Sequence, residues 1–121
     1  MTPDYLYLNS RDYLLRLDIR HIVFFEADGN YTNIVSANKV KHTVGMTLAK
    51  MQNMLTQSLG DRALWFVRIG KSHIVSMEYI NKIEIPKQTL ILSDGQSFVF
   101  KLSVSKEALR KLKDILTKKI Q

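Results

Sequence analysis

The chain has 121 residues, 45% hydrophobic and 24% charged, enough for one domain with a real core and too few for two. No run reaches the roughly 20 apolar residues of a membrane span, the N-terminus lacks a secretory pattern, and the absence of cysteine excludes disulfides and thiolate metal sites. Eighteen Lys and Arg against eleven Asp and Glu leave a formal charge of +7, and twelve of those cations fall after residue 60, which points to a polyanionic partner or to a solubility charge.

Tyr5 to Leu8 and Tyr13 to Leu15 flank the polar Asn9-Ser10-Arg11-Asp12, which predicts a first hairpin. Val23, Phe24 and Phe25 lead into Asp28-Gly29, and Tyr31, Thr32, Ile34 and Val35 lead out. Asp-Gly between β-favouring runs predicts a second hairpin. Val40 to Val44 reads as one more short strand. The period then changes: Leu48, Met51, Met54 and Leu55 recur at helical spacing. Thr47 suits the N-cap, Met46 and Met51 suit a hydrophobic staple, and Gly60 suits the far end.

Strands return in "WFVRI", "IVS", "YINKIEI" and "TLILSDGQSFVFKLS", the last predicting a hairpin at Asp94-Gly95. Pro86 offers no ladder donor and belongs at a strand end or edge. The C-terminal "SVSKEALRKLKDILTKKI" predicts a helix capped by Ser105, stapled by Val104 and Leu109, with Leu109, Leu112, Ile115 and Leu116 as its apolar stripe. The fold class is mainly β with short helices, one internal and one terminal.

Catalytic chemistry has no nominee. His21, His42 and His73 are scattered and lack zinc-ligand spacing. Gly70-Lys71-Ser72 imitates the end of a phosphate-binding loop, but Trp65 stands where that loop needs its first glycine, and Ser72 leads into a strand-like run rather than a helix. The expectation is a protein that is no enzyme, with no metal, no cofactor and no small-molecule substrate.

What remains is a set of polar, donor-bearing segments held between buried runs: "ADGNYTN", "RIGKSH" and "KLSVSK". Loops mounted on rigid strands suit the recognition of phosphates and base edges. Asn30, Ser72 and Ser105 can donate and accept; Lys71, Lys101 and Lys106 supply charge. Arg68 and His73 complete the donor cluster of the middle segment. The terminal helix carries Lys106, Arg110, Lys111, Lys113, Lys118 and Lys119 against Glu107 and Asp114, and reads as a packing helix with a solvated basic face, away from any membrane.

The order Phe66-x-Arg68-Ile69, Ser72, Ile74-Val75, Ile80, then Asp94-Gly95 before the last strand resembles the LytTR-type DNA-binding domain of bacterial response regulators, over roughly residues 19–116. The resemblance implies an elongated domain of small antiparallel sheets, with residues 1–18 as an N-terminal hairpin extension and 19–121 as the LytTR-like unit. It implies a cytoplasmic transcription regulator whose loops enter successive major grooves of promoter DNA with repeated elements, with a second copy bound alongside. The alternative from the residues is a module that binds protein, RNA or an anionic surface with the same basic face.

Carried over residue by residue, the implied base contacts fall near Asn30 and Tyr31, on Lys71 with Ser72 beside it, and near Lys106 with Lys101 or Ser105 in support. Arg68 is expected to brace the sheet through a carboxylate or carbonyls, ahead of a phosphate contact. The sequence departs from the family at Gly70, where histidine is common, at Ser76 in place of asparagine, and at Lys106 in place of arginine. Lysine lacks arginine's planar fork for guanine. No receiver-like stretch precedes the match, so phosphorylation control within this chain is not expected, and the chain reads either as a standalone DNA-binding protein or as a piece of a longer one.

Overall fold

The computed structural model describes residues 4–119. Its ten strands form three antiparallel sheets: a ribbon of β1 (Tyr5–Asn9) and β2 (Leu14–Asp18), a five-stranded sheet and a three-stranded one. The five-stranded sheet has the order β5-β4-β3-β7-β6, built from β3 (Ile22–Asp28), β4 (Tyr31–Ser36), β5 (Lys41–Val44), β6 (Phe66–Ile69) and β7 (His73–Ser76). The third sheet orders as β10-β9-β8, from β8 (Ile80–Glu84), β9 (Thr89–Ser93) and β10 (Val99–Ser103). Two helices, α1 (Leu48–Leu59) and α2 (Lys106–Lys119), complete the fold.

The five-stranded sheet is buried on both faces, which accounts for the unbroken run Val23-Phe24-Phe25. Phe25, Ile34, Ile74 and Phe66 point to one core with Leu6, Leu8 and Leu17 of the ribbon and Leu48, Met51 and Leu55 of α1. Phe24, Val35, Val75 and Ile69 point to the other, with Leu90, Leu92 and Leu102 of the small sheet and Leu109 and Leu112 of α2. The strand alternation of period two sorts neighbours into opposite cores. A register shift between Ile22 and Phe24 interrupts that alternation, so that Val23 and Phe24 both enter the second core.

The expected caps are present. Thr47 accepts the Lys50 N–H at 3.2 Å, and Ser105 accepts that of Ala108 at 3.2 Å. Both staple pairs are in place, with Met51, Val104 and Leu109 buried and Met46 packed against the first core.

Three expectations are corrected. Trp65 closes a 3-10 segment, Gly60–Trp65, instead of opening β6. The Asp94-Gly95 turn is part of a longer loop, because Ser93 pairs with Val99 and the Asp94 carboxylate gathers the N–H groups of Gln96, Ser97 and Phe98. Ile115 is 41% exposed, since the second core ends at Leu112 and Leu116 on that side of α2.

Candidate nucleic-acid interface

Strand register brings two of the polar segments to one end of the sheet. β3 pairs antiparallel with β7, with Glu26 opposite His73. Beyond that pair β3 runs on to the Gly29-Asn30 turn, while β7 is entered from the insert Gly70-Lys71-Ser72. The Ala27 N–H donates to the Ser72 carbonyl at 2.8 Å and extends the pairing into the insert. Asn30 lies three residues past Ala27, in the turn that ends β3.

The turn that carries Asn30 is two residues long, since Asp28 pairs with Tyr31. Gly29 takes φ +61° and Asn30 does not follow it into the left-handed region, the pattern of a type II′ turn. Buried Asn33 secures its base by donating to the Asp28 carboxylate at 3.4 Å and accepting from Thr43 at 2.7 Å. Asn30 and Tyr31 are both exposed, Tyr31 at 55%.

The insert itself is exposed at Gly70, Lys71 and Ser72. Gly70 has φ +61°, a conformation that other residues adopt at a cost. Arg68 turns back under it: Nε donates to the Gly70 carbonyl at 3.0 Å, Nη2 to the Lys71 carbonyl at 3.1 Å, and Nη1 to the Gln52 side chain at 2.8 Å. Arg68 is thus bound to carbonyls. His73 is buried, with Nε2 3.5 Å from Glu26 Oε2 and its ring edge-on to Phe24. Burial holds its pKa below the ordinary imidazole value, against the pull of Glu26.

The third segment shares a groove with the second. The insert and the junction of β10 with α2 together line a groove of about 600 Å³, with Val67, Ile69, Val104 and Leu112 in its apolar lining. Lys71 and Ser72 line it from the insert, Ser103 and Ser105 from the junction. Lys101 and Lys106 do not line it. Lys101 sits two residues before Ser103 on the same exposed face of β10, and Lys106 opens α2 beside the groove. None of Lys71, Lys101 and Lys106 has an ion-pair partner among the described residues.

Two charged groove residues entered the sequence reading only as part of the solvated face of the terminal helix. Lys111 and Glu107 line the groove from α2, 3.5 Å apart as an i,i+4 pair. The available signal was helical spacing, which sets Ala108, Lys111 and Leu112 on one face. No group of three or more His, Asp or Glu close enough to hold a metal exists among the described residues, and no helix there is long and apolar enough to cross a membrane.

The LytTr DNA-binding domain family matches residues 12–117. The chain is 28% identical over 105 residues to the heme-containing CO-sensing transcriptional regulator RcoM 1 of Paraburkholderia xenovorans (strain LB400), covering 85% of this chain and 36% of that protein. RcoM 2 of the same organism is 27% identical over 113 residues, covering 92% and 38%. The chain thus spans little more than a third of the length of these relatives. A solved LytTr DNA-binding domain, from a Bacillus cereus protein described as a methyl-accepting/DNA response regulator, superposes with TM-score 0.63 and 18% identity over 94% of this chain and 97% of that one. That likeness is one of fold.

Proposed function

Since the chain belongs to the LytTr DNA-binding domain family, we propose that it reads specific sequences in promoter DNA by inserting its loops into the major groove. The observation that carries this reading is the register between β3 and β7, which sets the Asn30 turn and the Lys71 insert side by side at one end of a doubly buried sheet. A rigid base holds the tips in place while the tips stay wet.

The roles divide by side-chain chemistry. Asn30 can offer its carboxamide to adenine, and Lys71 a point charge with three donors to guanine. Tyr31 and Ser72 stand beside them. Lys101, Lys106 and Lys111 reach phosphates around the groove, with Ser105 between, and fix the register of the protein on the duplex without carrying sequence information. Arg68 and His73, the one tied to carbonyls and the other buried against Glu26, support the insert from behind. A second copy on an adjacent repeat extends the contact to a full promoter element.

Selection of bound duplexes from a random pool at near-physiological salt tests this reading. The expected result is an enriched short motif, recurring at a fixed spacing. Recovery of an unenriched pool by the folded protein contradicts it and favours a generic polyanion surface.

A further inference from the structure

We infer that Gln52 of α1 and Arg68 of β6 act as a positioning pair that sets how sharply the insert discriminates between DNA sequences. The inference rests on the reading that the insert presents Lys71 to base edges. The insert has little packing of its own: Gly70 has no side chain, nothing lies within 4 Å of where its Cβ would be, and Lys71 and Ser72 are exposed. Its shape is therefore set by hydrogen bonds. On the far side the Ala27 N–H holds the Ser72 carbonyl. On the near side Arg68 holds the carbonyls of both Gly70 and Lys71.

The guanidinium is a planar fork: Nε and Nη2 hold the insert, which leaves Nη1 as a third corner whose fixing from elsewhere limits the pivot of the whole group. Gln52 supplies that corner at 2.8 Å from sixteen residues away in the chain. Although Gln52 is exposed, its neighbours Met51 and Leu55 are rooted in the first core, so its acceptor is carried on a rigid helix. Core, helix, Gln52, Arg68 and the Lys71 backbone form one continuous linkage.

Loosening the linkage acts selectively. A mobile Lys71 must be ordered before it can meet one base edge, and that cost falls on specific binding. Contact with phosphates tolerates many positions of the same lysine and is little affected. Gln52→Ala changes no charge and places a strong helix former on an exposed helix face, so the fold is retained.

The experiment compares a duplex selected from a random pool with its scrambled version, titrated with the wild type, Gln52→Ala, Gln52→Glu and Lys71→Ala. Gln52→Ala is expected to lower the cognate-to-scrambled affinity ratio about tenfold, with scrambled binding and its salt dependence unchanged. Gln52→Glu keeps an acceptor for Arg68 and restores the ratio, even though its added charge weakens both duplexes together. An unchanged ratio in Gln52→Ala alongside a lowered one in Lys71→Ala overturns the inference alone. An unchanged ratio in Lys71→Ala overturns the inference and the reading beneath it. Equal losses on both duplexes in Gln52→Ala, with a lower salt slope, overturn it as well, since they mark a phosphate contact.

Discussion

Ala27 donates its backbone N–H to the carbonyl of Ser72 at 2.8 Å, one step beyond the last pair of β3 with β7. That bond joins the two loops proposed to face DNA, and it is a local observable. Amide exchange at Ala27 is expected to be protected to nearly the level of Phe25 in the middle of the strand. Exchange at Ala27 as fast as at Gly29 would show the two loops to be independent.

Gly70 allows a clean test of backbone strain. A Cβ there meets nothing, so any loss on substitution comes from φ +61° alone. Gly70→Ala is expected to cost about 1 kcal/mol, and Gly70→Asn less, because asparagine tolerates the left-handed region. Denaturant titration checks the order; a neutral Gly70→Val would contradict it.

The C-terminal helix separates burial from pattern. Leu112 is 2% exposed and Ile115 41%, although both fit the same stripe. Leu112→Ala is expected to destabilise by about 2–5 kcal/mol, and Ile115→Ala by less than about 1 kcal/mol. Equal losses in thermal or denaturant unfolding would mean that α2 packs differently.

Two groups give stability opposite reasons to fall with acid. Asp94 is held down to about 2 from 3.8, first by the Gln96 N–H and then by the N–H groups of Ser97 and Phe98, with burial opposing. The folded state therefore binds this proton less readily than the unfolded state does. Its contribution is complete above about 3.8 and is lost as pH falls toward about 2. The carboxyl carbon shift of Asp94 is expected to titrate well below that of an exposed aspartate. His73 is lowered by burial, so the unfolded chain again binds the proton first, and stability declines as pH drops below 6.5. His73→Gln is expected to flatten the stability profile in that window; an unaltered profile would contradict the assignment.

The hairpin pattern of this sequence was legible because alternation and Asp-Gly pairs are local signals. Both helix caps and both staples were readable for the same reason. The sorting of Phe24 and Phe25 into different cores was not, because an unbroken apolar run carries no information about which face meets α1 and which meets α2. Trp65 was misplaced because its apolar character suits a strand, whereas the 3-10 segment after Gly60 absorbs it.

At the candidate interface, each polar segment stood out singly. The convergence of the first two depended on the β3 to β7 pairing, a contact between residues almost fifty positions apart in the chain. Arg68 was readable as a brace, but its partner Gln52 was not, since nothing local marks one glutamine of α1 above its neighbours. Lys111 was hidden among the other cations of α2 until the groove singled it out.

The measurement that bears most directly on the central claim is a repeat of the random-pool selection with Lys71→Ala. If the insert reads base identity, the consensus should lose its preference at one or two adjacent positions and keep the rest, with a loss of about 1–3 kcal/mol on the wild-type site. A Lys71→Ala consensus identical to that of the wild type, recovered by a folded protein, would place sequence recognition elsewhere on the molecule.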